Sequence, residues 1–312
     1  MSRAALAGAL VLAWAAPADA QRAALVISPG KPEPGAVVRL TLSDAPGGGD
    51  PAVAVRGAMA GEQLHFVYAG GGAWRALGAV PVDASDSVVA RVVVERASGT
   101  LDSARAVATL PRPRTAPAPR RLAVATRFTQ PLDSATQARI ADENRRATAI
   151  GRSAHSTPPL WSEPFLQPRE SRVTSRFGSG RSFNGTVTSR HLGVDFSGGT
   201  GAPVRAANRG VVALVDTFFL AGQVIYVDHG AGIVTGYFHL SETLVSPGDT
   251  VDRGQRIGSV GASGRVTGPH LHWSARYGAL AVNPLDLIAA GGWYGSAAGS
   301  GRAEQAADES GQ

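Results

Sequence analysis

The sequence predicts a mainly β fold built from two β units in series, and three observations carry that expectation. Residues 21 to about 112 break into short apolar or alternating runs separated by Gly, Pro, Asp and Ser clusters, the pattern of a β-sandwich. Residues 161 to about 294 are Gly-rich and strand-like throughout. Between them, the stretch Ser134 to Ile150 has helix-forming composition, a Ser/Thr start and Gly151 as its expected stop.

In chain order, residues 1–20 read as a signal peptide. Arg3 gives a basic start, Ala4 to Ala16 an apolar stretch, and Ala18-Asp19-Ala20 an A-x-A cleavage site. That apolar run is short of the roughly 20 residues that span a bilayer, and no later stretch approaches that length, so the expected mature chain is exported with no transmembrane segment. ALVISP, AVVRLTL, AVAVRG, QLHFVYAG, WRALGAV and SVVARVVVER are the strands expected in 21–112, with His65 an ordinary strand residue. Residues 113–160 form a linker that begins with the Pro/Arg run RPRTAPAP, continues through RLAVATRFTQP as a strand or extended arm, and contains the helix. His155 follows it in a polar stretch and is expected to be solvated. VVALVDTF, QVIYVDHG, GIVTGYFHL, DTVDRGQRIGSVG and HLHWSARYG are the strands expected in 161–294. The tail 295–312 has almost no bulky apolar residue and is expected to be disordered.

Bulk properties narrow the chemistry. The chain has no cysteine, which removes Cys-type zinc sites and cysteine nucleophiles. A net charge of +6 suits a polyanionic neighbour such as cell wall or a membrane surface. No dense basic run or recognised motif supports nucleic-acid binding.

The most specific signal lies in residues 191–272, where His191-Leu-Gly-Val-Asp195 precedes His239 and the pair His270-Leu-His272. A catalytic zinc takes three protein ligands, usually His with Asp or Glu, and keeps a fourth position for water. H-x-x-x-D with H-x-H supplies such a set and leaves His239 and His270 for proton transfer. His270, His272 and Ser274 alternate with Leu271, Trp273 and Ala275, so on a strand the two histidines share one face. The alternation Ile233, Thr235, Tyr237, His239 sets His239 on one face of another strand. The even spacing of His191 and Asp195 would bring both to one face of a third.

The segments SRFGSGRSFNG (175–185), HLGVDFSGGTGAPVRAANRGVV (191–212), VIYVDHGAGIVTGYFHLS (224–241), VSPGDTVDRGQRIGSVGASGRVTGPHLHW (245–273) and VNPLDL (282–287) resemble, in order, the lysostaphin-type (LytM-domain) zinc metallo-endopeptidases of cell-wall metabolism. The resemblance implies a C-terminal antiparallel β-sheet peptidase domain with a groove, one Zn2+ per chain, and hydrolysis of peptide crosslinks in peptidoglycan. Its zinc ligands fall on His191, Asp195 and His272, and its catalytic histidines on His239 and His270. His229 is then either structural or a support behind the ligands, and the loop around Asn184 and Gly185 matches one that approaches the metal. The segment 21–112 resembles the immunoglobulin-like region ahead of some of these domains. The expected setting is the periplasm or cell wall, with stem peptides of the D-Ala–meso-diaminopimelate type as substrate. The alternative is a wall-binding LytM-domain regulator that activates another hydrolase.

Overall fold

A computed structural model describes residues 23–44, 49–112, 118–185 and 187–292. The expected signal peptide and tail lie outside the described residues. Strands dominate, as the composition and turn spacing predict.

The first unit comprises β1 (Ala23–Ser28), β2 (Val37–Asp44), β3 (Ala52–Met59), β4 (Glu62–His65), β5 (Val67–Gly70), β6 (Ala73–Ala79), β7 (Ser87–Arg96) and β8 (Leu101–Thr109). They form two four-stranded antiparallel sheets, β1-β2-β6-β5 and β4-β3-β7-β8. Period-two patterning directs one side of each strand inward: Val88, Ala90, Val92 and Val94 of β7 meet Leu40 and Leu42 of β2 in one apolar cluster. Arg96 ties the sheets together from a buried position. It donates to Asp44 at 2.6 Å and to Asp102 at 2.7 Å, so its charge is matched where water cannot reach it.

β9 (Arg120–Leu122) follows, then α1 (Ser134–Ser153). Asp133 caps α1 by accepting the Thr136 N–H at 2.6 Å. Gly151 does not stop the helix. It lies within α1 because a Cβ there would come 1.9 Å from the Gly278 carbonyl oxygen: the position is set by close approach to a neighbouring turn, not by the need for a left-handed conformation. Ala147 of α1 and Ala154 just beyond it pack with Phe218, Val224, Tyr226 and Val234. The helix therefore closes one face of the sheet described next, and a cut at 161 would expose Phe218 and Tyr226.

The second unit contains β10 (Val173–Ser175), β11 (Gly180–Phe183), β12 (Val187–Arg190), β13 (Val194–Ser197), β14 (Pro203–Arg205), β15 (Gly210–Phe218), β16 (Gly222–Gly230), β17 (Ile233–Thr243), β18 (Thr250–Val251), β19 (Arg256–Val260), β20 (His270–Tyr277), β21 (Leu280–Val282) and the short helix α2 (Pro284–Ala289). The main antiparallel path runs β10-β13-β20-β17-β16-β15-β18, while β9, β11 and β12 form a small separate sheet in the order β12-β11-β9. Phe196, Tyr237, Trp273 and Tyr277 fill the core of this unit, and Val37, Leu77 and Ala79 of the first unit belong to the same cluster. The junction is also polar. The Val37 N–H donates to Asp286 at 3.0 Å, and the Tyr277 hydroxyl donates to the Gln63 carbonyl at 2.8 Å.

His155 sits at this junction and is not solvated, contrary to the sequence expectation. Its ring lies between Glu62 and His65, with hydrogen bonds of 2.9 and 2.8 Å, and meets Tyr277 edge-on. The polar residues around it in sequence gave no sign that α1 would carry it onto the first unit. Among the described residues, no helix is long and apolar enough to cross a membrane.

Candidate metal centre

β20 follows its predicted alternation: Leu271, Trp273 and Ala275 are buried in the core, which places His270 and His272 on the opposite face. β13 lies beside it, with Asp195 directly opposite His272 and Ser197 opposite His270. The carboxylate and the imidazole of His272 thus meet as a cross-strand pair.

His191 arrives differently from its prediction. It precedes β13 instead of sharing the strand with Asp195, and its backbone is pinned by hydrogen bonds of 2.9 Å to Ser179 O and 2.8 Å from Gly178 N. His239 also departs from the simple alternation. Tyr237 and Leu240 both belong to the core, so two residues separate inward positions that are three apart. The pairing register slips between Gln223↔Leu240 and Ile225↔Tyr237, and His239 has φ of 61°. A bulge here reverses the phase of the strand and aims His239 at the metal-ligand face. Its ring centroid is 5.0 Å from that of His270 and 5.9 Å from that of His272.

Three donor atoms converge. His191 Nε2, Asp195 Oδ1 and His272 Nδ1 are separated pairwise by 2.9, 3.0 and 2.9 Å. Among the described residues this is the group of His, Asp or Glu side chains close enough to hold a metal ion together. His191 Nδ1 donates to the Arg176 carbonyl at 2.9 Å, which leaves the lone pair of Nε2 facing the other two ligands. Lone pairs of two imidazoles and a carboxylate at such distances need a proton or a cation between them. The donor set, two nitrogens and one oxygen, is that of a catalytic zinc. The residues present therefore fit the metal.

The electrostatics agree. Burial pushes the His272 pKa down to about 4, outweighing the opposing hydrogen bond to Asp195, so the ring is neutral and able to ligate. Burial pushes Asp195 up, but its bonds with His191 and His272 win and hold the carboxyl far below the usual range. Burial, then the neighbouring His270 and His272, keep His239 well below its ordinary pKa. His239 Nδ1 donates to Ser263 O at 2.8 Å, and His270 Nδ1 donates to Gly268 O at 2.9 Å. Each fixed tautomer leaves Nε2 as the acceptor. Phe238 stacks on His272 with ring centroids 5.1 Å apart and fixes the plane of the ring. Gly193 is required by close approach, since a Cβ there would lie 2.6 Å from His272 Nε2.

Other expected residues lie elsewhere. His229 is fully buried, with Nδ1 on Arg209 O at 2.7 Å and Nε2 on Thr235 Oγ1 at 2.8 Å, and burial lowers its pKa to about 4. Asn184 pairs its amide with both backbone groups of Val124, at 3.0 and 2.9 Å, and so braces the arm around β9. Arg181 was not singled out by the sequence reading. It donates to Asp195 Oδ2, and to Ser175 Oγ at 3.1 Å, so that Oδ1 is the oxygen turned to the histidines. No spacing signal joins β11 to β13, which lie in different sheets; only the packing of the small sheet beside the main one brings Arg181 to Asp195. A cavity of about 280 Å³ beside the centre is lined by Asp195, His270, Arg181, Arg265 and Arg120. The larger cavity, about 580 Å³, lies between the first unit and α2 and holds none of the five site residues.

An antiparallel sheet with a His-Asp-His group able to hold a metal and two further histidines beside it fits a metallopeptidase type of domain. Residues 189–284 match the model of peptidase family M23, so this domain of the chain belongs to that family of zinc-dependent, lysostaphin-type metallopeptidases. Peptidoglycan DD-endopeptidase ShyA of Vibrio cholerae is 41% identical over 117 residues, which is 36% of this chain and 27% of that protein. DD-carboxypeptidase/endopeptidase Mpg of Neisseria meningitidis is 39% identical over 97 residues, 31% of this chain and 22% of that protein. The chain thus spans about a quarter of the length of the curated relatives it matches. A crystal structure of a putative peptidase M23 from Pseudomonas aeruginosa is similar over 83% of this chain and 95% of its own, with a TM-score of 0.61 and 27% identity.

Proposed function

We propose that the protein is an exported zinc metallo-endopeptidase that hydrolyses peptide crosslinks of peptidoglycan, of the D-Ala–meso-diaminopimelate type. The convergence of His191 Nε2, Asp195 Oδ1 and His272 Nδ1 beside two further histidines carries this reading. The DD-endopeptidase relatives support the substrate class, and the signal-peptide pattern supports export.

His191, Asp195 and His272 would hold the ion. Bound zinc supplies Lewis acidity, activating water and polarising the scissile carbonyl. His270 Nε2 stands 3.7 Å from Asp195 Oδ1, next to the ligand set, and accepts the proton of the attacking water. His239, beside it, serves the oxyanion or the leaving amine. Arg181 positions the Asp195 carboxylate. A regulator without chemistry of its own has no use for this complete set of five residues.

Purified sacculi of known composition test the reading. Zinc-loaded protein should release fragments whose masses identify cleavage between D-Ala and the diamino acid, and a chelator should stop the release. Intact sacculi after prolonged incubation with the zinc-loaded protein would rule the peptidase reading out.

A further inference from the structure

The cavity on the His270 side of the centre is lined by three guanidinium groups, Arg120, Arg181 and Arg265, against one carboxylate, Asp195. Arg181 is bound to that carboxylate. Among the described residues no carboxylate pairs with Arg265. Its charge instead lies 4.0 Å over the Phe183 ring, half-buried, and its backbone is fixed by an N–H bond to Leu220 O at 2.8 Å. Burial and the nearby Arg181 both push its pKa down, which is the signature of a cation lacking its counter-charge. Asp195 cannot supply more, because its other oxygen faces His191 and His272. A planar guanidinium held by an aromatic ring beside a reacting centre is built for bidentate recognition of a carboxylate.

The cavity that includes His272 differs. It measures about 180 Å³ and is lined by Leu192, Leu220, Phe218 and Phe238, with one carboxylate, Glu143, against one guanidinium, Arg276. The excess of cationic groups therefore lies in the cavity that holds His270.

We propose that Arg265, with Arg120 at the rim, forms a subsite for a free carboxylate on the carbon that bears the leaving amine of the scissile peptide bond. This rests on the peptidase reading above and adds a chemical criterion to it. A crosslink to the amine of a diamino dicarboxylic acid, the diaminopimelate type, carries such a carboxylate, whereas one to the terminal amine of a lysine-type diamino acid does not. A bond inside a glycine bridge has none at that place, and an amidated diamino acid presents a neutral group.

Two synthetic crosslinked stem-peptide dimers test this, one with that carboxylate free and one with it as carboxamide, each given to the zinc-loaded full chain. Wild type should prefer the free acid by about tenfold to a hundredfold in kcat/KM, the range of a hydrogen bond to a charged group. This comparison needs no variant. R265Q should lose that preference, mainly through a raised KM for the free acid, while keeping its zinc. R265K should recover part of it, since charge without the fork is retained. Equal rates on both peptides by wild type, or an equal loss on both in R265Q, would overturn the subsite and leave the peptidase reading standing. Cleavage of neither peptide, nor of sacculi, would overturn the peptidase reading and the subsite with it.

Discussion

The molecule contains two clusters of histidine and carboxylate, and they differ in where their lone pairs point. At the junction of the two units, Glu62, His155 and His65 form a line. Glu62 accepts from His155 and from the Ala279 N–H at 3.0 Å, and the His155 ring passes the chain on to His65. Each contact pairs a donor with an acceptor, so protons already satisfy the cluster. In the groove, His191 gives its only proton to Arg176 O, and three acceptors face one point. The same residue types make a polar latch in one place and a cation site in the other. What separates them is convergence, not composition.

The comparison breaks most sharply with metal. H191A or H272A should lose most bound zinc and all detectable turnover, because three ligands cannot spare one, whereas H155A should keep both. Elemental analysis decides it: full zinc in H191A or H272A, or none in H155A, would collapse the distinction. A smaller effect is expected at the two unligated histidines. H239A and H270A should retain zinc and lose roughly 10²–10⁴-fold in turnover on sacculi, the usual contribution of general acid–base groups. Loss of the metal in either variant would show that the ligand set has been misassigned.

The junction should report itself through acid stability. Burial, and then His155, hold the His65 pKa at about 4 in the folded chain against an ordinary 6.5. As pH falls, the unfolded chain therefore takes up a proton first. The stability contributed by neutral His65 is whole above pH 6.5, declines between 6.5 and 4, and levels off below. Its size is on the order of 2 kcal/mol, reduced by solvent at this half-buried site. His229 shares this pH window from a fully buried position, so the test is differential. Melting curves of H65Q should fall less steeply with acid than those of wild type; parallel curves would remove His65 from the account. Smaller still, G151A should press α1 off Gly278 and cost about 1–3 kcal/mol by overpacking, without loss of zinc. Unchanged melting would mean that the turn at Gly278 moves aside.

The groove cluster was legible in the sequence to a degree that the junction was not. The alternation of Leu271 and Trp273 with His270 and His272 gave the face of β20 directly, since side-chain direction in a strand follows from period two alone. His239 could be named but not oriented. Its aim depends on a bulge, and an extra residue in a strand leaves no trace in composition. Gly151 resembled a helix stop, although its role is contact with a turn more than a hundred residues away.

By itself the sequence determined which segments are strands, where α1 lies, and which five side chains to propose for the chemistry, because local periodicity and the spacing of rare residue types are properties of the chain. The tertiary structure alone decided that His191 reaches the centre from a connecting segment, that Arg181 turns the Asp195 carboxylate, that Arg265 pairs with no carboxylate among the described residues, and that His155 binds the two units together. Each of these depends on groups brought within a few ångströms across long separations in the chain. Hydrogen bonds and unbalanced charge act through distance in space, so only the packed fold could fix them.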